Sequence, residues 1–170
     1  MNRRRALWVG LSALVFFLLV LPASVRVLAD KPVLAGSESY GHLRIANHIA
    51  KDGIPVVDSA IPERAYRINA FDFVLAVFVR IFGEVLGALL LPFLLGLGSV
   101  WCLGLALRRW KIDRLTVFCI MLVFVISPVF VNVFVQATPR ALELFLFSLI
   151  FLVLSPGRPS SRIAIPASVL

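Results

Sequence analysis

Residues 85–107 read VLGALLLPFLLGLGSVWCLGLAL, an unbroken run with no charged side chain. At about 1.5 Å of rise per residue such a run exceeds the ~30 Å hydrocarbon core of a bilayer, so it predicts a membrane span. Pro92 and four glycines interrupt it, which a span tolerates where neighbouring helices satisfy the freed backbone groups. Immediately downstream, Arg108, Arg109, Lys111 and Arg114 form a basic turn, and residues 115–135 (LTVFCIMLVFVISPVFVNVFV) return as a second run. Ser127-Pro128 in its outer half predicts a kink. Gln136 to Arg140 form a tight outer turn, and residues 139–154 give a last, short helix that crosses only if tilted or in a thin bilayer. Upstream, residues 6–29 form the first span, with Arg26 near its end able to snorkel. Its charged start and Val27-Leu28-Ala29 also fit a cleaved secretory signal, but the apolar run exceeds the ~7 to 15 residues usual there, so the reading retains it as a span.

The whole chain agrees with this local reading. Of its 170 residues 61% are hydrophobic and 15% charged, and the mean hydropathy is +0.99. Soluble domains run nearer 45 to 50% apolar and about 25% charged. A cytosolic enzyme and a disordered tail are therefore excluded, and two cysteines are too few for a disulfide-stapled module. The net charge of +8 does not point to nucleic acid, because the basic residues are not gathered on one solvated face. They sit at Arg3 to Arg5, Arg108 to Arg114, and Arg158 with Arg162, the pattern of cytoplasmic span ends. The expected architecture is a single all-α integral membrane domain over residues 1–170, with four spans, an outer loop at 30–84 and a ragged tail at 155–170. Both chain ends then lie on the cytoplasmic side of a cell membrane.

The loop carries seven of the nine acids (Asp30, Glu38, Asp52, Asp58, Glu63, Asp72, Glu84) against six bases. Ser37 or Ser39 can cap a helix that ends at Gly53, before Pro55, with Leu43, Ala46, Ile49 and Ala50 on one face. A second amphipathic helix is expected at 69–82, where Asn69, Asp72, Ala76 and Arg80 form a narrow stripe; that pattern suits a helix lying in the membrane interface with its apolar face buried. His42 and His48, six apart, cannot chelate one ion from one face, whereas Glu38 and His42 share a face as a base pair, a partial metal site or an ordinary hydrogen bond. Arg44, Arg64, Arg67 and Arg80 are donors suited to phosphate. Cys102 and Cys119 lie at similar depth and are read as buried packing thiols. Glu143 is expected to pair locally with Arg140.

Residues 36–49 (GSESYGHLRIANHI), followed by Gly53-Ile54-Pro55, resemble the first outer loop of the GT-C superfamily of polytopic glycosyltransferases, and are most similar to that of the oligosaccharyltransferase catalytic subunit. The order of elements is similar too: a span, an acidic loop with two helices, the step Phe82-Gly83-Glu84, a span, a basic turn, a span ending in Ser127-Pro128, and a short outer turn. The resemblance covers residues 1 to about 155. It implies a transferase that moves sugar from a polyprenyl-phosphate carrier to an acceptor on the outer face. It places Glu38 on the loop acid, which activates the acceptor or binds a divalent cation such as Mg or Mn, and Tyr40, His42 and Arg44 on the motif positions that follow. Arg64 and Arg67 are then further candidates to hold the donor phosphate. Glu38 stands where aspartate is commoner, Gly41 where an aromatic is usual, and the second outer turn lacks the acid found there in such enzymes unless Glu143 substitutes.

Family enzymes carry roughly eight to thirteen spans, so the chain looks like the amino-terminal third of one, either truncated or reduced and completed by other membrane subunits. A non-catalytic four-span scaffold whose loop binds lipid or a partner protein is the competing expectation. A small transporter is disfavoured, since no span carries a charged midplane residue.

Overall fold

The computed structural model describes residues 3–53 and 69–156. Its described residues form seven helices and no strand: α1 (Arg3–Leu28), α2 (Ser37–Asp52), α3 (Ala70–Phe82), α4 (Glu84–Arg109), α5 (Arg114–Ile126), α6 (Pro128–Val135) and α7 (Pro139–Leu154). Two are long and apolar enough to cross a membrane, Leu7–Leu28 of α1 and all of α4; α5 and α6 together make a third if taken as one bent span. The expected kink is thus a break of 59° at Ser127. The Ser127 hydroxyl accepts from Phe130 N–H and donates to the Phe124 carbonyl, capping one helix and closing the other. The last helix matches the expected 139–154 with Pro139 in its first turn, and its 16 residues fall short of the length of a straight crossing.

α4 packs against every other helix of the described chain. Its glycines decide how closely. A Cβ on Gly87 would lie 2.8 Å from the backbone carbon of Phe78, so α3 can fold back against α4 only because that position carries no side chain. The reversal itself occurs at Gly83 (φ +84), which ends α3 and begins α4. Further along, Gly104 lies under the Trp8 ring and Gly96 under Phe134 and Leu19.

These contacts set the two ends of the molecule. Trp8, at the start of α1, meets Trp101 near the end of α4, with ring centroids 6.1 Å apart. Arg109 donates to the Leu152 carbonyl, and Trp110 stacks on Phe151. The start of α1, the ends of α4 and α7, and the basic turn at 108–114 therefore share one end. α2, α3 and the starts of α4 and α7 share the other, where Lys51 and Glu84 pair at 3.1 Å.

Several local expectations change. α2 is capped by Gly36 (φ +76) rather than by Ser37 or Ser39, because the Ser39 hydroxyl is engaged elsewhere. Its end at Gly53 is as expected, and Leu43 and Ala46 are buried. The stripe on α3 does not line an outer polar face: Asp72 and Ala76 are buried with Phe71, Leu75 and Val79, while Phe73, Val77 and Ile81 are exposed. Asp72 turns inward because it finds partners there. Cys102 is partly buried as a packing thiol would be, but Cys119 is exposed, and the two are not bridged. Arg26 donates to the Pro32 carbonyl at 2.7 Å, closing the end of α1.

Candidate functional site

Three contacts join the start of α2 to the turn between α6 and α7. A Cβ on Gly36 would lie 3.2 Å from Gln136 Oε1, so the two segments touch at that point. Next to it Ser39, fully buried, donates its hydroxyl to the Ala35 carbonyl at 2.6 Å and accepts from the Ala137 N–H at 3.1 Å. Outside both, the Glu38 carboxylate lies 3.6 Å from the Arg140 guanidinium. Both side chains are more than half exposed, so the pair holds an orientation more than it adds stability. Arg140 thus reaches across to the first loop instead of pairing within its own helix, and Glu143 stands exposed.

One turn further along α2, His42 does not pair with Glu38. Its Nδ1 lies 2.7 Å from Oδ1 of Asp72 on α3. Asp72 is wholly buried, and its other oxygen accepts the Asn69 N–H at 3.0 Å while Asn69 Oδ1 accepts the Asp72 N–H. This reciprocal capping box locks both carboxylate oxygens of Asp72 into place. A carboxylate out of water costs several kcal/mol unless paired, and this one has its partners. The His42 ring also stands edge-on to Phe71 at 5.8 Å.

The remaining candidates spread out. The Tyr40 hydroxyl accepts the Leu34 N–H at 3.3 Å and so pins the link between α1 and α2. Arg44 is exposed, on a face of α2 where Tyr40, Leu43, Asn47, His48, Lys51 and Asp52 line a depression of about 320 Å³. Asn47 Oδ1 is buried there with no hydrogen-bond partner among the described residues. His48 takes the ordinary i, i+4 contact, with Asp52 at 3.3 Å. Arg64 and Arg67 lie outside the described residues. Among the described residues no three His, Cys, Asp or Glu side chains gather as a metal site.

Asp72 and Arg140 are the functional candidates that the sequence reading missed. An aspartate in the apolar stretch 69–82 was the available signal, since a buried carboxylate must find a partner, and Asn69-x-x-Asp72 is a capping pattern. Arg140 carried no such signal. No protein-family model, curated protein or solved structure matches the chain.

Proposed function

We propose that the chain is a GT-C-like membrane glycosyltransferase or a reduced relative of one, which transfers sugar from a polyprenyl-phosphate carrier to an acceptor on the outer face. The observation that carries this reading is the junction of the two turns, Gly36 with Gln136, Ser39 with Ala137 and Glu38 with Arg140. Those are the segments from which such an enzyme would build its site. Glu38 is the candidate carboxylate. Arg140 beside it offers a bidentate donor to a phosphate, and Arg44 lies on the same helix.

The four-span topology belongs to this proposal, with α5 and α6 as one broken span and α7 as a tilted one. The basic turn at 108–114 and the Arg3 to Arg5 start share one end, so the positive-inside rule makes that end cytoplasmic and puts Glu38 outside. The described residues do not fit a resident divalent cation, because Glu38 has an arginine for its charged neighbour and no cluster of ligands forms among them. No step is therefore routed through a metal.

The test is transfer of labelled sugar from a polyprenyl-phosphate donor in membranes of cells that express the chain. Transfer should depend on the chain and disappear in Glu38→Gln. Transfer that is independent of the chain, or unchanged in Glu38→Gln, overturns the reading. One observation favours the scaffold alternative: between α1 and α4 runs an apolar groove of about 750 Å³, flanked by Trp8, Phe16, Phe93 and Trp101, of a size to receive a helix of another subunit.

A further inference from the structure

The pair His42–Asp72 has the geometry of a proton-accepting dyad, and we infer that His42, not Glu38, is the base that takes the acceptor's proton. This rests on the transferase reading above and deepens it, by naming the residue that takes the proton and leaving Glu38 to shape the site with Arg140.

Asp72 is acceptor-only while ionised, and its Oδ1 lies 2.7 Å from Nδ1, so the neutral imidazole places its one proton on Nδ1. Its Nε2 lone pair is then free, and Nε2 has no hydrogen-bond partner among the described residues. The His42 side chain is 19% exposed, whereas the Asp72 carboxylate is fully buried. A fully buried carboxylate behind an imidazole both orients the ring and stabilises the imidazolium formed when Nε2 accepts a proton. Asp72 itself cannot turn away, because its other oxygen holds the Asn69 N–H at the start of α3.

Glu38 is set up differently. It lies one turn before His42 on the same face of α2, and its charge is already engaged by Arg140 at 3.6 Å. Elsewhere on the described helices Lys51 of α2 pairs with Glu84 of α4, and Arg44 of α2 and Arg80 of α3 are exposed.

The acceptor hydroxyl oxygen forms a bond to the anomeric carbon of the donor sugar. The bond from that carbon to the phosphate oxygen breaks, and its electron pair leaves with the polyprenyl phosphate. The hydroxyl proton passes to His42 Nε2, and the imidazolium then releases it to water. Asp72 is a positioning residue that acts through His42.

The experiment measures transfer, with the labelled polyprenyl-phosphate sugar, in full-chain membranes across pH for the wild type, His42→Gln and Glu38→Gln. It also records ¹⁵N-histidine spectra of the chain in micelles. His42→Gln should lower kcat about 100-fold or more, the scale of a lost general base, while KM moves less than about threefold. The wild-type pH profile should lose its acid limb in that variant. The spectrum should show the Nδ1-protonated neutral tautomer, and Asp72→Asn should shift it toward the Nε2-protonated form that imidazole prefers in water. Transfer that is lost in Glu38→Gln but unchanged in His42→Gln overturns the dyad and leaves the transferase reading standing. An Nε2-protonated ring in the wild type also overturns it. If the wild type shows no transfer at all, the function reading falls, and the catalytic role of the dyad falls with it.

Discussion

The short pair, α2 on α3, and the long pair, α1 on α4, hold together by opposite means. α2 and α3 are joined through a buried polar centre, in which Asp72 binds His42 on one side and the start of its own helix on the other. α1 meets α4 through rings and methyl groups, Trp8 over Gly104, Leu19 over Gly96 and Phe16 edge-on to Phe93. Only 17% of the apolar window of α1 is buried within the protein, against 44% for α4. In lipid, apolar side chains gain little from burial against protein, so α1 depends on small residues that let it approach. α2 and α3 instead use a directional bond with a high penalty for its loss.

Asp72→Ala should break the comparison most severely. It removes a helix cap and leaves the Asn69 N–H and His42 without their acceptor, together about 3 kcal/mol. Thermal unfolding in micelles should show α2 detaching, by proteolysis within it, before the long helices melt. If Asp72→Ala melts like the wild type, the polar centre does not hold α2 on α3.

Gly87→Ala comes next, at about 2 kcal/mol, because the new methyl faces the backbone of α3, which cannot swing aside. Gly104→Ala should cost below about 1 kcal/mol, since the Trp8 ring it meets is a side chain bordering an open groove. Equal costs at the two positions would mean that α1 is seated as rigidly as α3.

Ser39→Ala should cost about 1 to 2 kcal/mol by leaving the buried Ala137 N–H unpaired. Hydrogen exchange at Ala137 should accelerate while exchange in the middle of α4 does not change. Uniform acceleration would show that the two turns are not a local junction.

The smallest effect lies at the opposite end. Asp113 accepts the Thr116 N–H at the start of α5, and hydrogen bonding to Thr116 holds its carboxyl below the ordinary value of 3.8. A depressed folded value means that its contribution is complete above about pH 4 and is lost as pH falls through the folded value. Protection of the Thr116 amide, relative to its intrinsic exchange rate, should fall over that acid range, and Asp113→Asn should remove the dependence. Protection that is flat in the wild type would argue against the cap.

Legibility divided along the same line as the comparison. The long apolar runs, the break at Ser127-Pro128, the end of α2 at Gly53 and the start of α7 near Pro139 could all be read from the chain, because each depends on local length, hydropathy or backbone chemistry. The inward turn of Asp72 could not. Periodicity places residues 72, 76 and 80 on one stripe, but which way the stripe faces depends on what packs against it. His42 was legible as a candidate through its spacing from Glu38, yet its partner lies thirty residues away on another helix. The N-cap expected of Ser37 or Ser39 failed for the same reason: a serine hydroxyl bonds whichever groups the fold brings to it, and here these are Ala35 and Ala137.

The sequence by itself determined a helical chain with membrane-length apolar segments and basic clusters set apart from an acidic loop, since these follow from composition along the chain. The tertiary structure alone decided that Glu38 meets Arg140 and His42 meets Asp72. Both pairs join residues far apart in sequence, and no local preference specifies them. The first joins exposed side chains where α2 meets the start of α7, and the second forms because the wholly buried Asp72 carboxylate requires donors.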